Sequence, residues 1–392
     1  MIKLSSYGFA DEYQQVYDAV YRFSREELHP LNDRMDRDDW FPEERFRSLA
    51  DVGLLGLTVP EEFGGQGLDF LAQCVAAEAM AYWSHSFCAA WLSSENICVH
   101  NIVRNGSAGQ KRTYLPRFCD GSAIGAMGMT EPGAGSDALG SMKSAAVRQG
   151  DKFILNGRKM FISNAPVADI AVVYARTDPE QGHHGISAFI VEREFPGFSS
   201  AQKLDKMGWR GSPTGELIFT DCEVPADNLM GGENKGVAVM MSGLNVERLV
   251  LGFYNLGVAQ RALDISIEYA RTREQFGRPI GDFQLVQAML ADMYTDVETM
   301  RAFTYQTAQQ LFAEDKEGLS QGELQKRCAA VFLQTGRACM RVLDNGVQVH
   351  GGMGFMRETE INQLYRCGKL LEIGGGTVQI RQLIIGGELI KD

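Results

Sequence analysis

The chain has 392 residues, enough for two or three domains around sizeable cores. Hydrophobic residues make up 45% and charged residues 22%, an ordinary balance for a soluble globular protein. The net charge of −12 argues against a nucleic-acid partner, because neutralising phosphates requires clustered Lys and Arg.

Met1–Leu4 runs at once into polar sequence with Asp11 and Glu12, so neither a signal-peptide apolar core nor an Arg-rich transit peptide is expected. Residues 1–121 have helical patterning. One amphipathic stretch enters at Pro42-Glu43-Glu44 and closes through Leu49, Val52, Leu54 and Leu55. Pro60–Leu68 is a Gly-rich break, after which helical pattern resumes around Glu78–Met80 and Ile97–Val103. Across residues 122–232 the period shifts toward two. Phe153–Ser163 carries Asn156-Gly157 between strand-forming arms, which predicts a hairpin turning at that pair. Ile170–Arg176, Gly185–Glu192 and Gly215–Pro225 are further expected strands, making a small β domain. Residues 233–392 return to helical spacing. Phe283, Val286, Leu290, Met293, Val297, Met300 and Phe303 form one apolar face of a long helix, and a second runs roughly from Leu324 to Val349, as in a bundle.

The eight cysteines, at 74, 88, 98, 119, 222, 328, 339 and 367, form no CxxC pair and stand beside no histidine cluster. Reduced, mostly buried thiols and no metal site are the expectation. The apolar runs fall short of the roughly 18 residues that a membrane span needs. A soluble cytoplasmic protein is therefore expected, with the mitochondrial matrix as the alternative if a transit peptide is missing.

Four motifs could carry chemistry. The loop GMTEPGAGSD (Gly128–Asp137) lets backbone approach a flat ring or a phosphate, with Thr130 and Ser136 as hydroxyl donors. Taken alone, such a loop is more often a turn than a site. YARTREQFGRPIGDFQ (Tyr269–Gln284) places three arginines at a helix junction, either an anion contact or a solvated helix end. QVHGGMGF (Gln348–Phe355) follows a helix and so is not the dinucleotide fingerprint, which must follow a strand. LLEIGGGTVQIRQ (Leu370–Gln382) has three consecutive glycines before a helical ending, and by itself reads as a flexible turn.

In this order and spacing the four motifs resemble the acyl-CoA dehydrogenase family along essentially the whole chain. GMTEPGAGSDALG (Gly128–Gly140) matches one family signature well; the stretch from Gln348 matches in part, with Gln363 and Cys367 standing where the family usually has a basic residue and Asp. RNGSAGQKRTYLP (Arg104–Pro116), KLDKMGWRGS (Lys203–Ser212) and MSGLNVERLVL (Met241–Leu251) look like the isovaleryl-CoA branch. The resemblance implies an N-terminal helical domain, a middle β-barrel-like domain and a C-terminal four-helix bundle. It implies an FAD-dependent homotetramer that oxidises an acyl-CoA and passes electrons to an electron-transferring flavoprotein. By position, Met127, Gly128, Met129, Thr130, Ser136, Phe161, Ile162, Ser163, Thr377 and Gln379 would line the flavin. Arg273, Gln284, Gln348, Gly351 and Gly352 would meet the pyrophosphate and adenosine of FAD bound mainly to a neighbouring subunit. Phe161 departs from the family's usual Trp, which puts any shielding role of that Trp in doubt.

The reaction so implied removes an α-proton from a thioester while hydride leaves the β-carbon for the flavin, so a carboxylate base is needed. The family's usual glutamate position, before Gly-Thr, is Gly375 here. The isovaleryl branch carries its base in a Glu-Arg pair on a C-terminal-domain helix, and Glu247-Arg248 stands there. Without the family, Glu247 would read as an exposed helical glutamate. Gly375 would keep its backbone N–H for the thioester oxygen. Ser136, Asn245, Arg248 and Gly374 would line the substrate, and Gly374, Gly375 and Ala238 leave room for a 3-methyl branch, as in isovaleryl-CoA or a citronellyl-CoA-like chain. Two other readings are a family-fold enzyme with a changed reaction, such as a desulfinase, and a non-catalytic FAD-binding protein.

Overall fold

A computed structural model describes residues 2–201, 203–312 and 320–391; Met1 and Asp392, which bound the first and third expected domains, lie outside them. The order is helical, then β, then helical, as the patterning predicts. In the first region, helix Phe70–Trp83 is capped by Asp69, whose side chain accepts from the Ala72 N–H. Helix Ala108–Cys119 starts at a reciprocal capping box of Ser107 and Gln110. The amphipathic stretch after Pro42 is short: Glu43–Arg47 continues as a 3-10 turn over Ser48–Val52 and stops at Gly53, which is left-handed at φ 68°.

The middle region is an eight-stranded sheet of β1 (Gly125–Gly128), β2 (Ala145–Gln149), β3 (Lys152–Ser163), β4 (Ile170–Arg176), β5 (Ile186–Glu192), β6 (Phe198–Ala201), β7 (Thr214–Pro225) and β8 (Leu229–Met230). The order is β6-β7-β3-β2-β4-β5-β8, with β1 pairing in parallel with β4. Asn156-Gly157 is not a hairpin turn. β3 runs straight through it, and the turn from β2 falls at Gly150-Asp151. Pairing with β7 along its whole length overrides the local preference, and the pair is absorbed as an irregularity between Leu155 and Gly157. Asn156 then bonds Asp221 across the strands, donating from Nδ2 (3.0 Å) and accepting the Asp221 N–H (2.8 Å).

The last region has long helices Leu244–Thr272, Gln284–Phe312 and Gln321–His350, with Val378–Leu389 packed on the third of them. Gly236–Thr272 is long and apolar enough to cross a membrane by composition, at odds with the expectation from apolar runs; 56% of its most apolar window is buried inside the fold. Its helix packs between Phe70–Trp83 and Gln321–His350, so its apolar residues build the core shared by both helical regions. That core also encloses an ion pair, Arg301 Nη1 to Glu78 Oε1 at 3.0 Å, with the Tyr305 hydroxyl donating to Glu78 Oε2 at 2.7 Å. One face of the β sheet packs on the segment Cys98–Phe118, and the other forms a separate core around Phe153, Phe189 and Leu217. The first turn of Leu244–Thr272 therefore sits where all three regions meet.

Candidate active site

Glu247 occupies that first turn and is only 7% exposed. An anionic side chain is favoured at a helix N-terminus, where the unpaired N–H groups carry partial positive charge. Helix His100–Asn105 brings two donors to the carboxylate: Asn101 Nδ2 at 3.4 Å and Arg104 Nη2 at 3.5 Å from Oε1. Burial pushes the Glu247 carboxyl up to about 7, against the opposing pull of Arg104, Arg248 and the two hydrogen bonds. Arg248, also buried, has Nε and Nη1 without a hydrogen-bond partner among the described residues, as is the Tyr174 hydroxyl from β4. The centre thus combines a carboxylate that ionises near neutrality with spare buried donors, a combination concentrated at functional sites.

The three glycines before the last helix lie close by. Gly375 is left-handed at φ 64°, and a Cβ there would stand 2.9 Å from Phe332 Cε1 and 3.3 Å from Leu251 Cδ1. Glycine is what this turn requires. Leu251 lies one helical turn beyond Glu247 on the same face, so Gly375 and the carboxylate border one space. Arg381 fixes this loop: fully buried, it donates from Nη2 to the Gly374 carbonyl at 2.7 Å and lies over the Phe332 ring at 3.4 Å. Thr377 caps the final helix by accepting from the Ile380 N–H, and Gln379 in its first turn is exposed. Asn245 is half-buried in the first turn of Leu244–Thr272.

A second group forms on the β domain. Met127 and Gly128 end β1, and Met129 and Thr130 follow; the Met160 N–H donates to the Thr130 carbonyl at 2.8 Å, which brings them beside Phe161, Ile162 and Ser163. Ser136 lies on the exposed part of the same loop. Beneath the loop, buried Lys159 donates to Glu131 Oε1 at 2.8 Å and to the Met129 carbonyl at 3.3 Å. Glu131 also accepts the N–H groups of Lys143 and Ser144. Burial draws the Lys159 ammonium down to about 8 although Glu131 holds it up.

A third group lies at the far end of the bundle. Arg273 and Gln284 flank a short turn after Thr272, and Tyr269 stacks on His350 with centroids 4.3 Å apart, bringing Gln348, Gly351 and Gly352 to the same end. The helix runs about 37 Å from Glu247 to Thr272 at about 1.5 Å per residue. The third group therefore lies at the opposite end of this helix from the Glu247 carboxylate.

The β-domain group fits a flavin. The Phe161 ring is 63% exposed on a left-handed residue at φ 62°, presenting an apolar surface for a flat partner to cover. Gly133 and Gly135 in the loop, and Gly351 and Gly352 in the third group, have open space where a Cβ would stand, so no side chain there keeps a ligand from the backbone. Gln363 and Cys367 make polar contacts from the bundle to the other two regions. Gln363 Nε2 donates to Asp33 at 3.1 Å, and the Cys367 sulfur accepts the Trp209 N–H at 3.0 Å. The expectation of free cysteines also holds among the described residues, all but Cys119 being buried.

Sequence reasoning did not single out Asn101, Tyr174, Arg381 or the Lys159–Glu131 pair, and Arg104 figured only inside a family segment. Replacing Lys159 by Met should loosen the β-domain loop, because stranding a buried carboxylate costs about 3–5 kcal/mol. The expected outcome is a folded protein with weaker FAD retention after gel filtration, read from the flavin-to-protein absorbance ratio; wild-type retention would remove the pair's role.

Comparison with known proteins identifies the family. Family models for the acyl-CoA dehydrogenase N-terminal, middle and C-terminal domains match residues 10–122, 126–222 and 234–390. Mitochondrial isovaleryl-CoA dehydrogenase of Oryza sativa subsp. japonica is 43% identical over 391 residues, covering 99% of this chain and 93% of the relative. Mitochondrial 2-methylacyl-CoA dehydrogenase of Solanum tuberosum is 43% identical over 384 residues, covering 97% and 91%. The structure of an acyl-CoA dehydrogenase complexed with FAD from Bacillus anthracis superimposes with a TM-score of 0.90 at 34% identity, covering 97% of this chain and 68% of that one. The chain belongs to the acyl-CoA dehydrogenase family of FAD-dependent oxidoreductases.

Proposed function

We propose that the protein converts an acyl-CoA to its trans-2-enoyl-CoA with Glu247 as the α-proton base. The observation that carries this is a buried carboxylate ionising near neutrality, whose helical neighbour one turn on, Leu251, borders Gly375, the position where most of the family has its glutamate. Bound FAD supplies the hydride acceptor for the β-carbon. Glu247 takes the α-proton, and its raised basicity suits a weakly acidic C–H. The Gly375 N–H holds the thioester oxygen as negative charge develops there, with Arg381 steadying the loop through Gly374. Arg248 stays protonated and balances the carboxylate charge. Because the base works deprotonated, the rate should rise as pH passes upward through about 7.

The acyl chain is read as short to medium and 3-methyl-branched, supported by the small residues Gly374, Gly375 and Ala238 and by likeness to isovaleryl-CoA dehydrogenases. Ser136 and Asn245 would contact the thioester substrate. Met127, Gly128, Met129, Thr130, Ser136, Phe161, Ile162, Ser163, Thr377 and Gln379 would hold the flavin end of FAD. The roughly 37 Å reach to Arg273, Gln284, Gln348, Gly351 and Gly352 is the reason to place those five on a neighbouring subunit's FAD in a homotetramer. The two electrons taken from the substrate would pass to an outside acceptor, for which an electron-transferring flavoprotein is the reading.

An anaerobic panel of acyl-CoAs tests the substrate and the base together. Isovaleryl-CoA or a longer 3-methyl homologue should bleach the flavin fastest, and a preference for butyryl-, octanoyl- or 2-methyl-branched thioesters would refute the pocket reading. Glu247→Gln, folded and FAD-loaded, should slow bleaching by about 10²–10⁴-fold. Arg273→Ala should weaken FAD retention, losing a charge-assisted contact worth about 1.5–3 kcal/mol. Full FAD occupancy after dilution and gel filtration would argue against the cross-subunit site.

A further inference from the structure

Glu247 is faced from three elements. Helix His100–Asn105 supplies Arg104 and Asn101, β4 supplies Tyr174, and its own helix supplies Arg248, behind which lies Arg381. Arg104 differs from the others in how it is held. Its Nη1 donates to the Ser242 carbonyl at 2.8 Å while Nη2 stands 3.5 Å from Glu247 Oε1. The guanidinium therefore bridges the residue before the helix cap and the carboxylate on the first turn. Asn105 adds a second tie, donating from Nδ2 to Ser242 Oγ at 3.1 Å.

Gly243 makes the bridge possible. It lies between Ser242 and the helix, and a Cβ there would overlap Arg104 Nη2 outright and come within 2.5 Å of Glu247 Oε1. Gly243 is not left-handed, with φ −110° and ψ −24°, so the space beside it, not its backbone angle, is what calls for glycine.

Resting on the reading of Glu247 as the α-proton base, we propose that Arg104 is its positioning residue: through space kept open by Gly243, it directs the carboxylate and sets the pH at which the base becomes available. An opposite charge at this range favours the ionised form of a buried carboxyl that desolvation would otherwise keep protonated. The same contact fixes Oε1 from the N-terminal-domain side, so that a carboxylate on a helix has one direction instead of several rotamers.

The test is the limiting rate of flavin reduction at saturating acyl-CoA as a function of pH, for wild type, Arg104→Gln, Arg104→Lys, Gly243→Ala and Glu247→Gln. FAD content and melting temperature are measured on each. Arg104→Gln should move the acid limb upward by about 1 unit or more, giving roughly a fivefold loss at neutral pH that recovers in alkali. Arg104→Lys, which keeps a charge, should shift less. Gly243→Ala, which displaces the guanidinium without removing it, should shift the limb in the same direction. An acid limb unmoved in Arg104→Gln and Gly243→Ala would overturn the proposal. So would a loss equal at every pH, or a rise in KM alone, which would make Arg104 a substrate contact. If Arg104→Gln does not fold, Arg104→Lys and Gly243→Ala decide by the same criterion. Wild-type reduction by Glu247→Gln would mean that the base assignment itself has failed, an outcome separate from an unmoved limb with Glu247→Gln inactive.

Discussion

A carboxylate removed from water at the first turn of a long helix is the constraint around which the rest of this structure is arranged. Burial alone would keep Glu247 protonated and inert. Three things oppose it: the helix N-terminus, the arginines at 104 and 248, and the Asn101 amide. The helix end and Arg248 belong to the bundle, Asn101 and Arg104 to the N-terminal region, so the balance that leaves the carboxyl near 7 exists only when the two are docked. The shared apolar core between Phe70–Trp83 and Leu244–Thr272 supplies that docking, with the Glu78–Arg301 pair enclosed within it.

The glycines on the opposite wall answer to the same constraint. Residue 375 carries no carboxylate and makes a left-handed turn tight against Phe332 and Leu251, which goes with the proposal that the base is on Leu244–Thr272. A side chain at 375 would meet both strain and overlap, so returning the glutamate to that position is not a neutral exchange in this chain. The base position and the loop composition therefore form one coupled choice. Arg381 secures the loop from behind by holding the Gly374 carbonyl.

Much of the fold was legible because its long elements carry strong periodicity: the apolar face from Val286 to Phe303 lies on Gln284–Phe312, with Phe283 just before it, and Ile170–Arg176 is β4 as expected. Asn156-Gly157 was misread because a hairpin preference is local, whereas the strand is decided by β7, some sixty residues away in sequence. The apolar content of Gly236–Thr272 has a similar origin, since a helix packed on several sides loses its polar face. Glu247 itself was legible only through the family resemblance and the glycine at 375. Its partners Asn101 and Arg104 were hidden for a simpler reason: they lie 146 and 143 residues away in sequence, and neither helix shows a pattern pointing to the other.

Exchange of the substrate α-proton with D2O measures the base directly, apart from hydride transfer and from the later electron acceptor. The FAD-loaded protein is incubated anaerobically with a thioester that binds but is not oxidised, and deuterium at the α-carbon is followed by NMR. The wild type should exchange, faster as pH rises through about 7, and Glu247→Gln should exchange only at the uncatalysed level. Exchange at the wild-type rate in Glu247→Gln, with FAD bound and the fold intact, would contradict the Glu247 assignment and move the base elsewhere in the site.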